Sequence, residues 1–135
     1  MHVIRVRDGV EFARIAPAGF VILSAFHSAT QVLHVDIWIT CGTDSHAGGD
    51  PHPSGEAYDI SVGAYSVDMV LELHTFLEKA LGPLFTVLYE SPRSPDDPRL
   101  RSIVWVNPGA SAPHLHVQRK KGTIYPPPPP TARNV

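Results

Sequence analysis

The 135-residue chain has a single cysteine, Cys41. One thiol excludes an intramolecular disulfide framework and any zinc finger built on several thiolates. Strong basicity is missing too: 11 Lys and Arg stand against 13 Asp and Glu, a net charge of −2, which argues against a generic nucleic-acid binder. Long apolar runs are absent. The longest, Ala18 to Phe26, is broken by Ser24 and falls far short of the roughly 20 residues that span a bilayer. Arg5, Arg7, Asp8, Glu11 and Arg14 precede it, unlike a secretory leader with its apolar core and small-residue cleavage site. The expectation is a monomer with no membrane span and no nucleic-acid partner, made in the cytoplasm without a signal peptide.

Eight histidines and 14 prolines are what the chain does have. Its length can bury a sizeable apolar core, so a metal is not needed merely to hold the fold together. Pro126 to Pro130 is an unbroken proline run that can only be extended. It divides the chain into a domain over 1–125 and a proline-rich tail over 126–135. Charge is segregated. Between Ile15 and Pro92 nine acids face one base, Lys79, whereas later Arg93, Arg99, Arg101, Arg119, Lys120, Lys121 and Arg133 outnumber Asp96 and Asp97. An acidic, His-bearing half beside a basic half suits a cation site facing an anionic substrate.

Pro17 opens a helix running to about His34, with Ile22, Phe26, Ala29 and Leu33 on one face. Val35–Cys41 is β-branched and aromatic and reads as a strand. The 14 residues from Gly42 to Gly55 hold four Gly, two Asp, two Pro and two Ser, a loop composition. Ala57–Val62 is a short strand. Ser66 caps a second helix that carries Val70, Leu73, Leu77 and Leu81 along one side and stops at Gly82-Pro83. Strands follow at Leu84–Tyr89, Ser102–Val106 and His114–Gln118. Two main helices flanking about five strands, the last three consecutive, predict a small single-domain α+β fold with a largely antiparallel sheet.

The long loop holds His46, Asp50 and His52, with Asp59 at its exit. On the last strand, residues two apart share a face, so His114, His116 and Gln118 point one way and Leu115 and Val117 the other. Two imidazoles opposite an acidic, His-containing loop are an inventory for a divalent ion such as Zn2+, which takes His nitrogen and carboxylate oxygen.

His52-Pro-Ser-Gly55-Glu-Ala57-Tyr-Asp59 resembles HxxGxAxD, the zinc motif of the M15 peptidases: D-Ala-D-Ala carboxypeptidases, dipeptidases and the related phage L-alanyl-D-glutamate endolysins. The preceding ITCGTDSH resembles the family's ITSGxR segment, and PHLHVQ resembles its last-ligand strand. The resemblance spans about Ile37 to Gln118 and implies a hedgehog/DD-peptidase-like domain. It makes His52, Asp59 and His116 the zinc ligands and implies hydrolysis of a bond in peptidoglycan stem peptides, or in another short peptide, by a metal-activated water. A lysis product of this kind would reach the cell wall by other means than a leader.

Two positions depart from the family pattern. The Glu that serves as general base three residues before the last His is replaced by Pro113, and the substrate-binding Arg of the ITSGxR segment aligns with Asp44. His114, on the ligand face, is the first candidate base, since imidazole is the side chain suited to proton transfer near neutral pH; Glu90 and Glu56 are carboxylate alternatives. A substrate carboxylate would then need Arg119, Arg101 or another base. His46 and Asp50 are candidates for orienting a ligand imidazole. Pro113 and Asp44 also leave open a non-catalytic zinc-containing binding or structural module of phage origin, and a hydrolase of some other amide is a third reading.

Overall fold

The structure is a computed structural model and describes residues 1–43 and 52–128. It is a small α+β domain with one six-stranded sheet and three helices. In chain order these are β1 (Ile4–Val6), α1 (Pro17–Leu33), β2 (Ile37–Cys41), β3 (Ala57–Ser61), α2 (Val67–Leu81), β4 (Phe85–Ser91), α3 (Pro98–Arg101), β5 (Val104–Val106) and β6 (His114–Arg119), with a 3₁₀ turn at His52–Ser54 before β3.

The two long helices form as their sequences dictate. Pro17 occupies the first turn of α1, where its missing N–H costs nothing. The Ser66 hydroxyl accepts from the Met69 amide at 3.1 Å and caps α2. Gly82, at φ 76°, ends α2, and its amide donates to the Glu78 carbonyl. Both helices pack on one face of the sheet. Ile22, Phe26 and Ala29 of α1 meet Leu73 and Leu77 of α2 and Ile37, Ile39, Tyr58, Ile60, Leu115 and Val117 of the strands in one buried core.

The sheet is mixed rather than largely antiparallel. Its order is β1-β2-β3-β6-β4-β5, antiparallel through the four central strands but parallel at both edges, β1 with β2 and β4 with β5. Each parallel pair is joined by a crossover that contains a helix, α1 or α3, as parallel neighbours require. Several elements differ from the expectation. β2 and β5 each begin two residues later, at Ile37 and Val104, the latter because Ser102 closes α3. β1 is only three residues with two basic side chains nearby. α3 is a single turn built from the Asp97 carboxylate on the Arg99 amide at 2.8 Å and Pro98 at its start. β4 runs two residues beyond Tyr89, to Ser91. Tyr125 packs edge-on against Phe85, ring centres 5.4 Å apart, so packing with the domain extends to that residue.

Among the described residues, the second face of the sheet carries no helix. Strand alternation places Asp59, His114, His116, Gln118 and Glu90 there, between the two partly exposed tryptophans Trp38 and Trp105.

Glycine lets backbone segments meet beneath this face. A Cβ on Gly19 of α1 would lie 2.1 Å from the Gly55 carbonyl oxygen, and Gly55 itself has φ +77° with the Arg14 carbonyl 2.5 Å from where its own Cβ would be. Only a side chain of no size permits this approach. Gly19→Ala is expected to destabilise the fold by about 1–3 kcal/mol through overpacking. Gly63→Ala, whose Cβ meets nothing within 4 Å, is expected to be neutral by comparison; urea denaturation of both variants measures the difference.

Candidate metal centre

β3 and β6 pair antiparallel with Asp59 opposite His116 and Ser61 opposite His114. On the other side of β6, Glu90 of β4 lies opposite His114. Three adjacent strands thus bring one carboxylate, two imidazoles and a second carboxylate to one patch of the open face. His52 reaches the same point from the 3₁₀ turn and is only 2% exposed.

Three side-chain atoms converge. His116 Nδ1 is 2.8 Å from Asp59 Oδ1, His52 Nε2 is 3.2 Å from His116 Nδ1, and His52 Nε2 is 3.4 Å from Asp59 Oδ1. A four-coordinate ion with bonds near 2.0–2.1 Å spaces its nitrogen and oxygen ligands about 3.3 Å apart, so this triangle fits one face of such a tetrahedron. The hydrogen bonds around it fix the ring tautomers. The Gly42 carbonyl, 2.9 Å from His52 Nδ1, can only accept; Nδ1 therefore holds a proton and Nε2 faces the centre. His116 Nε2 donates to Gln118 Oε1 at 2.6 Å, and its Nδ1–H points at Asp59 with His52 Nε2 alongside. A proton on His116 Nδ1 would lie among the three ligating atoms, where an ion would sit.

The electrostatics agree with that arrangement. Burial alone would raise the Asp59 carboxyl, but hydrogen bonds from His116 and His52, with their charge, more than reverse it and hold the group well below the usual carboxylate range. Burial alone would lower His116; its bond to Asp59, that residue's charge and the bond to Gln118 override this and leave the imidazole above its ordinary value.

A second set overlaps the first. Cys41, His52 and Asp59 offer ligating atoms all within 4.8 Å of one another. A buried group of this composition can in principle hold a metal ion.

His114 and Glu90 sit beside the triangle. His114 Nδ1 lies 3.0 Å from the Ala112 carbonyl, and its Nε2 points between Asp59 Oδ2 at 3.7 Å and Glu90 Oε1 at 3.6 Å. The other Glu90 oxygen accepts from Asn107 Nδ2 at 2.8 Å, and the residue is 8% exposed.

Other expected residues lie apart. Arg119 alternates with Leu115 and Val117 toward the opposite face, and its guanidinium holds Glu56 through two bonds, the shorter at 2.5 Å, besides reaching the Thr123 carbonyl. Neither residue joins the cluster of His52, Asp59 and His116; the two pair with each other instead. Arg101 caps the Pro95 and Asp96 carbonyls. His46, Asp50 and Asp44 lie outside the described residues. Among the described residues, the Gly42 carbonyl and the Gln118 side chain bond the second ring nitrogens of His52 and His116. Gln118 was signalled by its alternation with His114 and His116, whereas a backbone carbonyl such as Gly42's carries no sequence signal. The remaining histidines are structural: His27 and His34 are exposed on or just after α1, and buried His74 bonds the Val87 carbonyl at 3.1 Å.

No protein-family model, curated protein or solved structure matches this chain. Among the described residues no helix is long and apolar enough to cross a membrane.

The shared proton sets a pH dependence. With its folded value raised, His116 stabilises the metal-free fold fully below the ordinary imidazole value of about 6.5, and that contribution is lost as pH rises through the folded value. Asp59, with its folded value depressed, contributes fully above the ordinary carboxyl range and loses the contribution progressively as pH falls below that range. Metal-free protein is therefore expected to lose stability as pH rises above the ordinary imidazole value of about 6.5. Affinity for a divalent ion should rise until the His116 proton is gone, by about tenfold per pH unit for one displaced proton. Thermal melts of metal-free protein and calorimetry in buffers of different ionisation enthalpy check both trends.

Proposed function

We propose that the protein is a zinc-dependent hydrolase of the M15 peptidase type, built on a hedgehog/DD-peptidase-like domain, that cleaves a peptide bond in peptidoglycan stem peptides or a related short peptide. The observation that carries this reading is the convergence of His52 Nε2, Asp59 Oδ1 and His116 Nδ1, with edges of 2.8 to 3.4 Å, on the face of the sheet opposite the two long helices. His, Asp and His are the ligand set the sequence motif implies, and three protein ligands match a catalytic rather than a structural zinc site.

His52, Asp59 and His116 would hold the ion. A bound Zn2+ supplies Lewis acidity toward a carbonyl and makes water acidic near neutral pH. The rest falls to this chain's own side chains. Amide hydrolysis needs a base that takes a proton from the attacking water and returns it to the leaving amine. His114 Nε2 faces the cluster with its other nitrogen anchored on the Ala112 carbonyl, so the ring is held with one nitrogen available for transfer. Glu90, steadied by Asn107, borders the same nitrogen and stabilises the imidazolium that proton uptake creates. Trp105, opposite Glu90 in the strand register and half exposed, offers an apolar wall for a bound peptide.

A second reading, a zinc-containing binding or structural module without turnover, is favoured by Pro113, which stands where the family carries its catalytic Glu. Metal analysis and a stem-peptide hydrolysis assay separate the two. The hydrolase reading expects about one Zn2+ per chain, release of a new amine, and loss of both in His116→Ala. His114→Ala and Glu90→Gln are expected to keep the metal while kcat falls by about 10²- to 10⁴-fold, the usual worth of a general base. Stoichiometric zinc with no turnover of any stem peptide or other short peptide would establish the module instead.

A further inference from the structure

We propose that Cys41 is a fourth protein ligand to the ion held by His52, Asp59 and His116, so that the resting centre is closed by a thiolate. The inference rests on the metal reading above and deepens it.

The first observation is a break in strand register. Ile39 of β2 lies opposite Ile60 of β3, while Cys41, two residues on, lies opposite Asp59, the residue adjacent to Ile60. Ile60 is in the core and Asp59 is on the open face. In a regular strand Ile39 and Cys41 would share a face; the irregularity between them turns Cys41 over to the side of Asp59. Bulges re-aim side chains in this way and concentrate near functional sites. Its result here is to bring a thiol to a carboxylate and an imidazole already in ligand geometry.

The second observation is distance. The Cys41 sulfur and the ligating atoms of His52 and Asp59 all fall within 4.8 Å of one another. Zinc bonds of about 2.3 Å to sulfur and 2.0–2.1 Å to nitrogen put those two ligands about 3.6 Å apart, a difference that a rotation about χ1 can cover. The same short segment also supplies the Gly42 carbonyl that orients His52, so one turn of chain sets two features of the centre.

The third is charge. Two neutral imidazoles and one carboxylate leave a divalent ion with a net positive charge, and the side chains around it are largely buried. An uncompensated buried charge is costly. A Cys41 thiolate makes the centre neutral. With it in place, the position that hydrolysis reserves for water is filled at rest, and turnover requires the thiolate to be displaced.

The test is titration of the metal-free full-length protein with Co2+ alone, followed by visible and near-ultraviolet absorption. Because the chain has one cysteine, a sulfur-to-cobalt charge-transfer band has a single origin. The expected result is tetrahedral cobalt bands together with that charge-transfer band at one ion per chain. In Cys41→Ser the charge-transfer band should vanish while Co2+ still binds, with an affinity loss beyond the about 10- to 100-fold that follows removal of a residue that merely orients a ligand. Cobalt bands without the charge-transfer band in the unmutated protein overturn the proposal but leave the three-ligand centre standing, as does Cys41→Ser binding with unchanged affinity. Absence of any Co2+ binding overturns both. If Cys41→Ser fails to fold, the spectrum of the unmutated protein decides alone.

Discussion

The pairing of β3 with β6 is the constraint on which the rest of this molecule depends. One antiparallel register sets Ile60 against Leu115 and Tyr58 against Val117 on the helix side, and Asp59 against His116 on the other. Core and candidate centre are therefore two faces of the same ladder. A slip of one residue would turn the apolar set outward and the carboxylate and imidazole inward. The apolar residues that α1 and α2 cover thus hold the polar ones in position. Because the two strands are central in the sheet, with β2 and β4 on either side, neither has an edge at which the register could drift.

His52 is the one member of the triangle that does not come from a strand, and its placement depends on backbone packing. The 3₁₀ turn that carries it closes with the Gly55 amide on the His52 carbonyl at 2.9 Å. Gly55 then passes against the Arg14 carbonyl and the start of α1 at Gly19. On the other side, Gly42 turns its carbonyl to His52 Nδ1 while its own α-carbon presses on the Glu11 carbonyl, 2.2 Å from where a Cβ would sit. Three glycines at close backbone approaches do for this imidazole what a strand register does for His116. The N-terminal segment before α1 is part of the support for the centre, although it contributes no ligand.

Much of this was legible in the residues. The 3.6-residue pattern from Ile22 to Leu33 and from Val70 to Leu81 gave both long helices, and alternation in HLHVQ put His114, His116 and Gln118 on one face. The HxxGxAxD spacing picked out His52 and Asp59. What escaped has physical causes. β1 is three residues of edge strand with Arg5 pointing to solvent, too short for a periodic signal. The parallel edges follow from which strands the crossovers join, a tertiary outcome that no local pattern encodes. Cys41 reads as the last residue of a buried strand; only the register break against β3 carries it to the face of Asp59. Arg119, two residues beyond Val117, belongs to the helix-side set by the same alternation that selects the histidines, and Glu56 neutralises it there.

The relation of Pro113 to Glu90 follows from the same sheet logic. A carboxylate on the approach to β6 would reach the centre along the strand that bears the last histidine, but proline holds that position. The carboxylate near the centre stands instead on the neighbouring strand. β4 runs antiparallel to β6 with Glu90 opposite His114, so Glu90 meets the cluster one residue pair along from His116, at the same height above the sheet. Its side chain is buried, one oxygen bonded to Asn107 and the other directed at His114. A carboxylate held this way has a defined orientation and a partner that can carry a proton toward Asp59. In a sheet, the residue that faces a site from across a strand boundary can stand in for one that would have faced it from along the chain, because cross-strand neighbours lie about 4.5–5.5 Å apart.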